Sequence, residues 1–276
     1  MKLSCLILTY NEEVNIARCL ASLDWCDDIV VIDSGSTDKT LDIVRQYGAK
    51  ILRRPFDNFA NQRNFGLDQG ALHYDWVLHL DADEVVTEEL QAQFAKLSPG
   101  EDIDGYFLPS KTILHGQWLK YAGMYPTYQA RLGHRDRMRF TQVGHGQRED
   151  VQPDRMGRID EPYLHYSFSH GMQKWLEKHL RYASDEAQLI VDIRSGGELS
   201  ANDEGRQNWD VAAGRRVSKV RAASVPLVLR PFARFLYVYL FRKGFLDGRA
   251  GFSYAFMLAV YEGMTAIIAN ESLRGK

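Results

Sequence analysis

Asp81 and Asp83 stand two positions apart in "WVLHLDADEVV", directly behind an apolar run. On a surface turn such a pair is an ordinary couple of solvated acids. Where a buried strand ends, the same pair suits a hard divalent cation, which takes oxygen ligands and bridges them to phosphate oxygens. Two more polar clusters follow apolar runs, Thr9-Tyr10-Asn11-Glu12 and Asp33-Ser34-Gly35-Ser36-Thr37-Asp38. Taken singly, Asn11 and Ser36 read as helix caps and Gly35 as a turn former. Taken together, the three clusters read as the wall of one pocket. No G-x-G-x-x-G follows the first run and no G-x-x-x-x-G-K-[ST] occurs, so the pocket is neither a dinucleotide fingerprint nor a Walker-type phosphate loop.

The elements that must position these clusters are legible as alternating strands and amphipathic helices: "LSCLILTY", "EEVNIARCLASL", "IVVIDSG", "DKTLDIVRQYG", "AKILRR", "FANQRNFGLDQG" and "WVLHLDAD". That alternation predicts an α/β fold with a mainly parallel, Rossmann-like central sheet. Runs such as Ile29-Val30-Val31-Ile32 fit strands covered on both faces. Ligands of such sheets bind beyond the carboxyl ends of the strands, where all three clusters fall.

"LILTYNEEVNIARCLASL", "IVVIDSGSTDKTLDIV", "NQRNFG" and "LHLDADE", in this order and spacing, resemble the nucleotide-sugar half of the family 2 inverting glycosyltransferases. "PYLHYSFSHGMQKWLEKHLRYASDEA" and "GFLDGRAGF" are similar to the bacterial lipopolysaccharide core and polysaccharide enzymes of that family, including the core β-glucosyltransferase group. The resemblance implies a GT-A fold, a nucleotide-sugar half over residues 1–115 and an acceptor-binding half over 116–193. It implies a nucleoside held by Thr9, Tyr10 and Glu12, with Glu12 accepting from ribose hydroxyls, Asp33 accepting the uracil N–H, and Ser36 and Ala82 in the same site. Arg63 is placed beside the diphosphate or as a brace for the metal-binding acids. Asp83 is implied as a direct ligand of Mn2+ or Mg2+, Asp81 as a contact to ribose, metal or metal-bound water, and His165 as a further ligand or a merely hydrogen-bonded histidine.

Inverting transfer also needs a base to take the acceptor hydroxyl proton. In "FTQVGHGQRED" the family's adjacent His-Glu pair is replaced by His145 and a separate Glu149. Glu149 is the first choice of base and Asp150 the second, with His145 as a hydrogen-bonding partner; a charged loop whose acids pair with arginines is the plain alternative. The expected reaction is metal-dependent transfer from a UDP-sugar to a glycolipid or growing polysaccharide of the bacterial cell surface. A polyprenyl-phosphate acceptor and a non-catalytic lipid-binding or assembly scaffold are the rivals. A nucleotidyltransferase would need a Gly- and Lys/Arg-rich triphosphate loop where this chain has "TYNEE".

Composition bounds the rest. The 276 residues are 45% hydrophobic with a formal charge of −2, enough for a sizeable core and without an overall nucleic-acid signature. Cys5, Cys19 and Cys26 form no disulfide set or zinc spacing, and no secretion signal is evident, so a cytoplasmic protein is expected. A polar, glycine-rich loop is expected over 194–214 and a basic amphipathic helical region over 215–276. Residues 215–249 hold nine Lys/Arg and one acid, Asp247, among aromatic residues. This predicts peripheral contact with an anionic membrane on the cytoplasmic face of the inner membrane, the alternative being packing on the rest of the chain or another subunit. Residues 251–270 are expected to form a packing helix rather than a span, and could equally make a homo-oligomer.

Overall fold

The computed structural model describes residues 1–143, 146–194 and 226–274. Two compact units arise, one of Met1–Thr112 with Pro126–Ser169, the other of Ile113–Tyr125 with His170–Lys276. These units do not follow the expected divisions at 115 and 193. The loop expected over 194–214 lies, apart from Arg194, outside the described residues, as do residues 215–225.

The first unit runs β1 (Ser4–Thr9), α1 (Ile16–Ala21), β2 (Ile29–Asp33), α2 (Thr40–Gln46), β3 (Lys50–Arg53), α3 (Phe59–Gln69), β4 (Trp76–Asp81), β5 (Glu84–Val85) and α4 (Glu88–Lys96). It continues through β6 (Gly105–Leu114), whose end pairs with β7 (Gln117–Trp118), then β8 (Thr127–His134), β9 (Phe140–Val143), β10 (Gly146–Glu149), β11 (Met156–Arg158) and β12 (Tyr163–His165). The main sheet has the order β3-β2-β1-β4-β8-β6-β12-β5. Its first four strands are parallel, and β8 enters antiparallel beside β4 and β6.

Alternation along β1 explains why its sequence is apolar throughout. Cys5 and Ile7 pack with Ile16, Leu20, Leu80 and Phe94 on one face, while Leu6 and Leu8 pack with Val30, Ile32 and Val77 on the other. Both faces are covered, so both residue parities are apolar. Cys5 and Cys19 are buried free thiols within the first of these clusters. On the second face α3 approaches closely at Gly66, where a Cβ would sit 2.5 Å from Leu6 Cδ1. Helix starts follow local chemistry: Asn58 Oδ1 accepts from Asn61 N–H at the head of α3, and Thr87 Oγ1 from Leu90 N–H at the head of α4.

The second unit contains β7, α5 (Gly171–Arg194), α6 (Arg230–Leu236), a π-helical turn over Tyr237–Phe241, a 3-10 turn over Gly244–Asp247, and α7 (Gly248–Arg274). Ala187, Ile190 and Val191 of α5 pack on Leu227 and on Ala266 and Ala269 of α7. The helix expected over 251–270 is thus a packing helix along one side. Gly244–Leu273 is also long and apolar enough to cross a membrane by length and composition, with 28% of its apolar window buried.

Candidate active site

The register brings the three polar strand ends side by side. Thr9 pairs with Asp33 across β1 and β2, and Leu8 pairs with Asp81 across β1 and β4. The chain therefore leaves three adjacent parallel strands at one edge, flanking β1 where the strand order changes direction, the position at which open α/β sheets take ligands.

The loops above β1 and β2 hold each other. Asn11 N–H donates to Ser36 Oγ at 2.9 Å, Thr37 N–H to Asn11 Oδ1 at 2.8 Å, and Glu12 N–H to Thr40 Oγ1 at 2.7 Å. Neither Asn11 nor Ser36 caps a helix, since α1 starts after Asn15 and α2 after Lys39, both without a side-chain cap. The capping alternative is corrected on this geometry: the two residues bridge loops, with Asn11 in the left-handed region at φ 53°. Asp33 is buried, and its carboxylate accepts from Gly35 and Ser36 N–H at 3.1 Å, closing its own turn. Thr9 Oγ1 is buried without a hydrogen-bond partner among the described residues, and the Tyr10 ring is exposed. Glu12 accepts from Asn15 Nδ2 at 2.7 Å. Ala82 is buried, its N–H on Leu8 C=O.

The two acids of the D-x-D differ in environment. Asp81 is clamped by two buried guanidiniums, Arg63 Nη2 on Oδ1 at 2.7 Å and Arg131 Nη2 on Oδ2 at 2.8 Å. Burial alone would raise its carboxyl, but the Arg131 and Arg63 charges outweigh that and hold it well below the usual carboxylate range. Arg131 also donates to the fully buried Glu84, whose other oxygen accepts from Asp81 N–H at 3.0 Å. Burial, together with the neighbouring Asp81 charge, pushes the Glu84 carboxyl upward. Asp83 pairs with no arginine among the described residues; its Oδ2 lies 3.3 Å from His165 Nε2, both side chains about a quarter exposed. Burial tends to depress the imidazole, yet the contact with Asp83 outweighs it and raises His165 to about 9.

β12 delivers His165. It pairs antiparallel with β5, placing His165 opposite Glu84, and Tyr166 N–H donates to Asp83 C=O at 2.9 Å. The loop beyond it is tied to α1, because the Arg18 guanidinium stacks 3.5 Å from the Tyr166 ring centre and donates to Asn15 Oδ1 at 2.7 Å. One carboxylate oxygen and one imidazole nitrogen thus converge at an accessible point. These donors fit a small divalent cation completed by phosphate oxygens and water. Among the described residues no group of three or more His, Cys, Asp or Glu forms a fuller metal cage.

Within "FTQVGHGQRED", residues 140–143 and 146–149 form an antiparallel strand pair. β9 and β10 pair with Glu149 opposite Phe140, so the two side chains share a face. Phe140 is buried, its ring 4.9 Å from that of His79 and its backbone held at both polar atoms by Asn64 of α3. Glu149 is half-buried on this inner face, and burial raises its carboxyl. Asp150 is exposed beyond the strand end. His145 lies outside the described residues.

Arg131, Glu84, Arg18 and Tyr166 were not singled out from the sequence. For Arg131 a signal existed: a cation inside "YQARLGH", between the buried Ala130 and Leu132.

A sequence profile of the family described as "Glycosyl transferase family 2" matches residues 4–145. An uncharacterized glycosyltransferase of Rickettsia typhi is 36% identical over 38% of this chain and 36% of its own length. The lipopolysaccharide core biosynthesis glycosyltransferase LpsC of Rhizobium meliloti is 31% identical over 42% of this chain and 44% of its own. The matched region spans less than half of these curated relatives. Among solved structures, S. aureus TarS in complex with UDP-GlcNAc aligns at TM-score 0.44 and 16% identity over 100% of this chain and 93% of that one. Glucosyl-3-phosphoglycerate synthase from Mycobacterium tuberculosis, with Mn2+, UDP and glucosyl-3-phosphoglycerate, aligns at TM-score 0.45 and 17% identity over 72% and 82%.

Proposed function

This chain belongs to glycosyl transferase family 2, and from that membership we propose an inverting GT-A enzyme that transfers a sugar from a UDP-sugar to a glycolipid or polysaccharide of the bacterial cell surface, in lipopolysaccharide core or exopolysaccharide synthesis. The observation that carries the reading is the convergence of Asp83 and His165 beside three gathered strand ends.

In this reading Thr9, Glu12 and the turn closed by Asp33 receive the nucleoside, with the buried unpartnered Thr9 hydroxyl available to it. Asp83 and His165 hold Mn2+ or Mg2+, which when bound neutralises the leaving diphosphate. Asp81 is a brace: with both oxygens on arginines it fixes the end of β4, and through it the direction of Asp83. Arg63, on the Asp81 side of that brace, acts on the acids rather than on phosphate. Glu149 takes the acceptor hydroxyl proton, for which a carboxyl raised by burial suits a base working near neutral pH. A glycolipid acceptor would draw the enzyme to the cytoplasmic face of an anionic membrane.

The test is hydrolysis of UDP-, GDP- and dTDP-sugars with and without manganese or magnesium, with nucleotide binding followed by calorimetry. Metal-dependent release of UDP from one sugar, lost in Asp83→Ala, supports the donor assignment. Glu149→Gln should keep UDP binding and lose transfer by about 10²–10⁴. Metal-independent UDP binding in the wild type would sink the Asp83–His165 assignment.

A further inference from the structure

Residues 226–256 contain five Lys/Arg and one acid, Asp247. That acid is removed from the surface: it is buried, and its oxygens accept from the N–H groups of Lys120, Tyr121 and Ala122 at 3.2, 2.9 and 2.8 Å. One cation is removed too, since the buried Arg230 pairs with Glu262 at 2.7 Å. What the stretch presents to solvent is positive only. Lys243 and Arg249 are exposed, and Arg234 and Arg242 are half-exposed.

The same stretch turns large apolar side chains outward. Phe232, Leu236 and Leu240 recur every four residues across α6 and the π-helical turn, and Phe241 beside them is 81% exposed. The stripe continues onto α7 through ring contacts, Phe235 to Phe252 at 5.7 Å and Phe252 to Phe256 at 6.3 Å. These helices already have an inward face, on which Val238, Ala250, Ala255 and Met257 are buried. The exposed aromatic face is therefore a second apolar surface, of the kind that marks an interaction site.

Charge decides the occupant. In a symmetric pair of copies the patch meets itself, and here cation would oppose cation with no exposed acid within 226–256 to relieve it. An anionic lipid surface complements both properties at once, taking rings at the acyl boundary and cations at the headgroup phosphates. We infer that α6, the π-helical turn and the first three turns of α7 form a face that docks on an anionic phospholipid bilayer, lying along it. This deepens the membrane contact of the proposed function, and it moves the surface from the basic stretch alone to one that includes Phe252 and Phe256 of the packing helix. Lying rather than crossing follows from α7 itself: its Glu262 is paired with Arg230, and its Ala266 and Ala269 are packed on α5.

The experiment sediments the full chain with vesicles of phosphatidylcholine, alone or mixed with phosphatidylglycerol. Wild type is compared with Phe241→Ser/Phe256→Ser and with Lys243→Glu/Arg249→Glu. The expected result is binding to the mixed vesicles only, weakened at least about tenfold in either double variant and by raised salt. Metal-dependent UDP binding, measured on the same samples, should be unchanged in the variants. Its absence from the wild type would sink the donor reading while leaving the vesicle result to stand. Three outcomes overturn the inference: no vesicle binding by a monodisperse wild type, a dimer dissociated by Phe241→Ser/Phe256→Ser without vesicle binding, or attachment that resists alkaline carbonate and so requires a span.

Discussion

Arg131 places one guanidinium nitrogen between two carboxylates, 2.8 Å from Oδ2 of the one-third-exposed Asp81 and in hydrogen-bond contact with Oε1 of the buried Glu84. Its charge, with that of Arg63, keeps Asp81 ionised three residues from the buried Glu84. Removing one partner of such an arrangement leaves uncompensated buried charge, which costs about 3–5 kcal/mol. Arg131→Ala should lose stability on that scale in urea denaturation. Adding Glu84→Gln should recover part of the loss, because the buried acid left without a cation is then neutral, while Asp81 keeps Arg63. Additivity of the two substitutions would contradict the coupling.

The parts of the fold that repeat locally were legible in the sequence. Both residue parities of β1 are apolar because both faces are covered, and Asp33 and Asp81 end strands because apolar runs stop there. Partners distant along the chain were not legible. Arg131 meets Asp81 from 50 positions away, through a strand that reverses the sheet's direction. Asn11 and Ser36 carry the residue types of caps, and only the register of β1 beside β2 brings them within hydrogen-bond reach of each other. Nothing in the sequence separates the lone acid of the basic tail from a surface charge, because its partners are backbone N–H groups, which carry no side-chain signature.

Arg18 joins the two ends of the candidate donor site. Through Asn15 it reaches Glu12, and through its stack on Tyr166 it orders the residue that follows His165. Partners one step behind a metal ligand typically change affinity 10–100-fold when lost. Arg18→Gln should therefore raise the manganese concentration needed for UDP binding by at least about tenfold, with little change in melting temperature. Arg18→Lys, which keeps the charge but not the planar stack, should restore only part of it. An unchanged manganese requirement would leave Arg18 as a purely structural residue.

Asp104 gives the first unit a pH-dependent tie. Arg137 Nε donates to its Oδ1 at 2.6 Å, Arg155 contacts both oxygens, and the hydrogen bonds from Arg155 and then Arg137 outweigh burial and lower its pKa from about 3.8. A carboxyl lowered on folding contributes stability that is present above its unfolded value and lost as pH falls through its folded one. Asp104→Asn should destabilise by about 1–3 kcal/mol at neutral pH. The gap to wild type, read from urea midpoints, should close as pH falls below about 3.8. A gap independent of pH would mean that the charge of Asp104 contributes nothing.

Asp247 should behave as a clamp inside the second unit. Three consecutive N–H groups, of Lys120, Tyr121 and Ala122, point at one carboxylate, and Gly244 packs against Ala122 closely enough that a Cβ there would sit 3.2 Å from its methyl. Hydrogen bonds to a charged acceptor each contribute about 1.5–3 kcal/mol, and stranded buried donors cost more than the bonds gave. Asp247→Ala should thus expose the amides of 120–122 to rapid hydrogen exchange and lower the stability of the unit by several kcal/mol, whereas Asp247→Asn, with one acceptor oxygen left, should lose part of that protection. Metal-dependent UDP binding should survive Asp247→Asn, since the residues proposed to bind the nucleotide belong to the other unit. Retained protection at all three amides in Asp247→Ala would show that the turn is held by packing at Gly244 alone.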